Sequence, residues 1–237
     1  MHKKINELTS EIVKEYGLNA GASVVGIAAA KDFTLAPEGF KPSDNLEGCL
    51  SVVVLGGPIS QEAILGDPVG FIDIRSALNV KMTDIANNVA KKIKADGYKV
   101  KAINGMGGKW VNGRQFGHIS LKHAAELAGL GIIGRNYLLV NPQFGNLLWF
   151  SAVLTDAPLI PDKKMQNTIC TCCNKCVEMC PSKALQTPAL FGRKACEGTM
   201  FKRINNKWEI MCFICRKTCP HCFGTSAKSK KRSVKKV

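Results

Sequence analysis

The sequence predicts an α/β or α+β layer domain followed by a small cysteine-rich module. Three observations carry this. Apolar β-type runs alternate with amphipathic helical stretches from the N-terminus to about residue 160. Ten of the eleven cysteines fall between Cys170 and Cys222. With 46% hydrophobic and 22% charged residues in 237, the chain is long and apolar enough to bury a core. The expected organisation is a layer domain over residues 1–160, a cysteine module over 161–225 and a basic disordered tail over 226–237.

Each element follows from local pattern. Ile5, Leu8, Ile12, Val13 and Tyr16 share one helical face over residues 5–16, with Gly17 and Gly21 as stop signals. Residues 23–30, SVVGIAAA, read as a strand. Pro37, Gly39, Pro42 and Gly48 make residues 31–48 a loop, and residues 50–58, LSVVVLGGP, a second buried strand. Ile74, Leu78, Met82, Ile85, Val89 and Ile93 recur at steps of three and four, which predicts a long amphipathic helix ended by Gly97. YKVKAI is a third strand, and residues 105–118 a glycine-rich loop. A short helix over residues 118–128, a second glycine-rich turn and strands at YLLV and LLWFSAVLT complete the domain.

The apolar runs at residues 22–30, 50–55 and 147–154 fall short of the roughly 18 residues a membrane span needs, so no membrane partner is expected. The start MHKKINELTS shows no secretory signal, which makes the cytoplasm the expected compartment. Thiols there stay reduced, and an odd number of cysteines in one segment is a poor disulfide framework. Metal ligation is the better explanation.

The spacing identifies the ligation. Cys170, Cys173, Cys176 and Cys180 form C-x2-C-x2-C-x3-C followed by Pro181, the bacterial ferredoxin run. Cys212, Cys215 and Cys219 repeat C-x2-C-x3-C before Pro220, with Glu209 where a further cysteine would stand. Cys196 is the economical substitute. In a two-cluster ferredoxin the fourth cysteine of each run crosses over. That assigns Cys170, Cys173, Cys176 and Cys219 to one 4Fe-4S cluster and Cys180, Cys196, Cys212 and Cys215 to the other. Structural zinc is the alternative, although it favours paired C-x2-C spacing. Cys49 reads as a small buried hydrophobe, and Cys172 and Cys222 as spectators or ligands that exchange on oxidation. Two clusters imply a one-electron relay that feeds a cofactor or a partner protein.

Gly129, Gly131 and Gly134 match G-x-G-x-x-G, but the motif follows a helix and lacks the required acid, so a helix cap and tight turn explain it. The stretch LKHAAELAGLGIIGRNYLLVNPQFGNLLWFSAVLTDAPL, with the two cysteine groups, resembles the epoxyqueuosine reductase and reductive dehalogenase superfamily. The likeness is close over residues 98–224 and only in outline over 1–97. It implies a corrinoid (cobalamin)-binding layer domain, flavin being the second choice, fed by the nearer cluster from a low-potential donor such as ferredoxin or flavodoxin. The implied substrate is a small molecule or a modified nucleoside. One departure stands out. The acid that the superfamily places shortly before this helix falls near Gln115, Phe116, Gly117 and His118, where there is no carboxylate.

Candidates for the missing chemistry are His118 and His123, with Arg114 in the preceding loop. Candidates for holding the cofactor are the backbone at Gly105, Gly107 and Gly108, the neighbours Lys109 and Trp110, the turn at Gly129, Gly131 and Gly134, and the pair Arg135 and Asn136. Two rival readings remain: an electron carrier or maturation factor without its own substrate, and an RNA-binding protein with structural clusters.

The net charge is +15, and KSKKRSVKKV at the C-terminus carries six of those charges with no acid. It reads as a solvated tail or as an RNA tether. If it is a tether, removing residues 228–237 weakens RNA binding and flattens its salt dependence in a titration from low to high salt. Unchanged binding makes it a solubility feature.

Overall fold

The computed structural model describes residues 8–111, 114–166, 169–186 and 192–225. The basic tail lies outside them. The chain forms two compact units, one of residues 1–57, 79–130 and 149–165, the other of residues 58–78, 131–148 and 166–237.

The first unit opens with α1, Ser10–Asn19. The helix was expected over residues 5–16, and its observed start is set by Thr9, whose hydroxyl accepts from the Ile12 amide at 3.3 Å. Gly17 does not stop it. A Cβ there would lie 2.7 Å from both Leu55 and Val25, so glycine lets the helix press onto the sheet. The true stop is Gly21, at φ +102°.

The strands are β1 (Val24–Ala29) and β2 (Ser51–Pro58). After α2 (Gln61–Leu65) and the 25-residue α3 (Phe71–Ala95) come β3 (Val100–Ile103), β4 (Lys109–Val111) and β5 (Arg114–Phe116). Then follow α4 (Leu121–Leu127), β6 (Ile132–Ile133), β7 (Leu139–Val140) and β8 (Leu148–Thr155). The main sheet has the order β1-β2-β8-β3, with β1–β2 and β3–β8 antiparallel. Val52 to Leu55 and Ala152 to Leu154 are fully buried at its centre, as their continuous apolar runs demand. On α3, Met82, Ile85, Val89 and Ile93 are buried while Ile74 is half exposed, so the apolar stripe is shorter than its sequence period.

Residues 105–118, expected as a loop, contain a hairpin. Lys109 pairs with Phe116, Trp110 with Gln115 and Val111 with Arg114. The β-forming residues flank an Asn-Gly pair, the strongest short-range hairpin signal; that pair, residues 112–113, is outside the described residues. The hairpin is fastened at Lys109, whose ammonium donates to the Gly39 carbonyl and lies 5.6 Å over the Phe40 ring.

The second unit continues with α5 (Lys175–Glu178), α6 (Arg193–Met200), β9 (Phe201–Ile204), β10 (Lys207–Ile210) and α7 (Ile214–Lys217). Within the cysteine-rich segment Ala184, Leu185, Ile210 and Phe213 are buried, and Phe213 meets Phe71 edge-on at 4.6 Å; Ile59, Ile64, Leu139, Val140 and Leu147 add to the unit's apolar core.

Gly26 in β1 faces the Ala128 carbonyl and the Leu130 side chain, which a Cβ would overlap. Gly26→Ala is expected to destabilise the chain by about 1–3 kcal/mol, read as a lower denaturant midpoint.

Candidate functional site

The two cysteine runs fold as matched turns. Asn174, in the left-handed region at φ +58°, opens α5 with Cys176 inside it, and Cys180-Pro181 follows. Phe213 opens α7 with Cys215 inside it, and Cys219-Pro220 follows. The two short helices pack on each other. In each, burial lifts the helical thiol to about 11.

The neighbours of those thiols show which cysteines come together. After burial, Cys176 is raised by Cys215, Cys219 and Cys170. Cys219 is raised first by burial and then by Cys170 and Cys173. Cys215 is raised by burial, opposed by the Arg216 guanidinium, and raised again by Cys196, Cys212 and Cys180. Cys176 thus faces Cys170 and Cys219 as well as Cys215, Cys215 faces Cys180, Cys196 and Cys212, and Cys222 lies near both Cys215 and Cys219. Cys180 differs. Burial pushes it up, but the Ser182 hydroxyl at 3.4 Å and the backbone amides of Ala184, Ser182 and Leu185 outweigh this and lower it.

Cys170, Cys173, Cys176 and Cys219 line a cleft of about 390 Å³ together with Gly134, Arg135 and Asn136. No carboxylate lines it. A Cβ on Gly134 would sit 3.1 Å from Asn136 Oδ1 and 3.6 Å from Cys170 Sγ, so glycine keeps the cleft open. A thiol-rich, acid-free pocket fits an iron-sulfur cluster in the chemistry of its donors. Among the described residues no three His, Cys, Asp or Glu side chains converge as a single-ion site.

The glycine motif is therefore divided. Gly129, at φ +70°, closes α4: its amide donates to the Glu126 carbonyl and Leu130 donates to Ala125. Gly131 packs against the Val140 carbonyl. Asn136, 5% exposed, accepts from the Leu138 amide and donates to the Cys215 carbonyl at 3.2 Å. It braces the turn that carries Cys215.

Asn146 was not singled out from the sequence. It is 1% exposed, donates to the Arg216 carbonyl at 3.3 Å, hydrogen-bonds the Cys219 thiol and lies 3.7 Å from Cys222 Sγ. Arg216 in turn donates to the Asn146 carbonyl. The partners lie about 70 residues away in sequence, and no local pattern marks them. Cys222 is buried beside this knot, Cys49 is buried in the first unit, and Cys172 is exposed.

In the first unit, Lys101, Lys109 and His118 come together. Burial lowers the His118 pKa, and the two lysines lower it further. Among the described residues its Nδ1 is buried without a hydrogen-bond partner, while its carbonyl accepts from Asn45 at 3.0 Å. His123 is lowered by burial and by Lys122, and its Nδ1 lies 2.7 Å from the Ser120 hydroxyl. Both imidazoles are neutral at pH 7. Arg114 opens β5, and Trp110 is 72% exposed. Gly105 packs on Trp149 and Phe150, and Gly108 on Phe116, so both glycines serve backbone packing.

No family model matches the chain. A curated epoxyqueuosine reductase from Cyclobacterium marinum is 31% identical over 107 residues, 40% of this chain and 34% of that protein. A crystal structure of epoxyqueuosine reductase with an epoxyqueuosine-modified tRNA-Tyr stem loop superposes on 90% of this chain and 64% of its own, with a TM-score of 0.63 and 20% identity. A catabolic reductive dehalogenase in complex with 3-bromo-4-hydroxybenzoic acid gives 93%, 33%, 0.65 and 21%. The chain has the fold of the epoxyqueuosine reductase and reductive dehalogenase superfamily. It spans about a third of the length of that Cyclobacterium epoxyqueuosine reductase. The resemblance read from AGLGIIGRN and the cysteine runs thus points to the same superfamily as the fold. Among the described residues no helix is long and apolar enough to cross a membrane.

The thiols should differ in reactivity. Burial holds Cys49 and Cys222 at about 11, so on the order of a thousandth of either is thiolate at pH 8. Exposed Cys172 is expected to alkylate first and these two last in peptide mass spectrometry of the native protein, with their labelling accelerating as pH rises toward 11.

Proposed function

We propose that this chain is an iron-sulfur oxidoreductase that relays single electrons through two 4Fe-4S clusters to a corrinoid held by the α/β unit, for the reduction of a small molecule or a modified nucleoside. The observation that supports the reading is that thiols at ferredoxin spacing gather around Cys176 and Cys215, the first facing Cys170 and Cys219, the second facing Cys180, Cys196 and Cys212. Cys170, Cys173, Cys176 and Cys219 hold one cluster; Cys180, Cys196, Cys212 and Cys215 hold the other. When bound, such clusters accept and release one electron at a time.

The chain's own residues supply the rest. Cys180 enters ligation preorganised, because its amide and hydroxyl donors already favour the thiolate. Arg216 places a guanidinium beside Cys215, offsetting negative charge at the second site. Asn136 and Asn146 fix the backbone of Cys215 and Arg216. In the α/β unit, the unpartnered Nδ1 of His118 is the buried polar atom best suited to meet a ligand. As a neutral imidazole it can donate a hydrogen bond or hold a proton, and it stands in the region where the superfamily's acid is missing. Arg114, His123, Lys109, Trp110, Arg135 and the glycines at 105, 107, 108, 129, 131 and 134 remain secondary contacts of this proposal. The fold likeness supports the corrinoid, and the tRNA-bound neighbour supports a nucleoside substrate. The electrons come from a low-potential ferredoxin or flavodoxin.

Protein purified without oxygen is expected to carry about eight iron and eight sulfide per chain, and Cys215→Ser to lose about half of each. Cobalamin titration should give a saturable shift to a base-off spectrum, weakened by His118→Ala. Intact clusters with no shift would make the chain an electron carrier, and zinc in place of iron would end the redox reading.

A further inference from the structure

Between the two ligand cysteines Cys196 and Cys212 the chain does more than connect them. It completes α6 and then folds the β9–β10 hairpin. The turn is Asn205-Asn206, both at positive φ (48° and 62°), the conformation a two-residue hairpin turn requires. Met211 donates to the Met200 carbonyl at 2.8 Å and closes the base, where Ile210 is buried. The hairpin is thus packed at its base, through Glu209 and Ile210, and exposed toward its turn.

Its exposed surface is basic and aromatic. Lys194, Lys202, Arg203 and Lys207 are all exposed. Trp208 is 60% exposed and sits directly across the ladder from Arg203. Two acids lie nearby, and Glu209 stands across the ladder from Lys202. Glu197 is held by Arg193 at 2.6 Å, and Glu209 is 5% exposed and accepts from the Gly70 amide at 3.1 Å. Among the described residues none of the four cations forms an ion pair. Trp208 precedes Cys212 by four residues, about 13 Å at most along an extended strand. An exposed tryptophan opposite Arg203, on a hairpin that also exposes Lys202 and Lys207, is the composition of a binding surface for an acidic partner.

We propose, on the basis of the two-cluster reading, that this hairpin is the surface on which an acidic, low-potential one-electron carrier protein docks to reduce the cluster of Cys180, Cys196, Cys212 and Cys215. In each encounter the reduced carrier loses one electron and the cluster gains one, passing from the 2+ to the 1+ core; no bond forms or breaks. The basic patch steers the carrier and Trp208 anchors it. The position of the patch, in the segment joining two ligands of one cluster, favours a redox partner over RNA, which the same charges would attract.

The test uses holoprotein and flavodoxin hydroquinone in a stopped-flow instrument, with dithionite as the small-molecule reductant. The triple variant Lys202→Glu, Arg203→Glu, Lys207→Glu is expected to lower the bimolecular rate with flavodoxin about tenfold or more and to abolish its decline with salt. Trp208→Ala lowers it several-fold. Dithionite reduction and iron content stay unchanged in both. If charge reversal prevents cluster loading, Lys202→Gln with Lys207→Gln reports the same effect, reduced to a few-fold. A flavodoxin rate untouched by these changes, or a wild-type rate indifferent to salt, overturns the proposal. So does loss of tRNA stem-loop binding with the flavodoxin rate intact, which would make the patch an RNA surface. Wild-type protein without reducible clusters refutes the two-cluster reading itself, a separate outcome seen in the iron content.

Discussion

Buried thiolate charge is the constraint around which the cysteine unit is arranged. To hold the proposed clusters the thiols would have to be deprotonated, yet burial holds Cys176 and Cys215 at about 11. A bound cation would be the strongest compensation. The remaining compensation is built from protein groups placed one by one: amides on Cys180, the Arg216 guanidinium beside Cys215, the Asn146 amide on Cys219. Each lowers the energy of the charged state only if its own position is fixed. The asparagine braces therefore matter as much as the ligands.

That dependence separates what the sequence reveals from what it hides. The cysteine run is legible because C-x2-C-x2-C-x3-C-P is local geometry, closed within a four-residue helix and a turn. The proposed crossover of Cys180 and Cys219 rests on that same local spacing. The braces are not legible. Asn136 reaches Cys215 across 79 residues and Asn146 reaches Arg216 across 70, and asparagine in a turn-rich segment has many ordinary uses. Glu209 is similar. It stands where a cysteine would be expected, but its carboxylate accepts from Gly70, 139 residues away, at the start of α3, where a helix favours negative charge.

The α/β unit shows the same division. Its strands are legible as continuous apolar runs, and the structure buries them. Its helix limits are less so. Gly17 looks like a stop but is an interior contact, because only the sheet beneath reveals why a side chain is excluded there. The β4–β5 hairpin was hidden by the glycines around it, although Asn112-Gly113 marks such a turn. A high glycine count suggests a loop until the close approach of Gly108 to Phe116 is seen.

The two units also differ in how they treat charge. In the cysteine unit, cations and donors are brought to groups that become negative. Around His118, burial disfavours the positive form, and Lys101 and Lys109 disfavour it further. A reductive step consumes protons as well as electrons, and a neutral imidazole flanked by two lysines is a weak acid on its own. A carboxylate in the same place would carry its proton poorly in that positive field. Loss of the acid near Gln115 and the presence of His118 among lysines are thus consistent parts of one electrostatic arrangement.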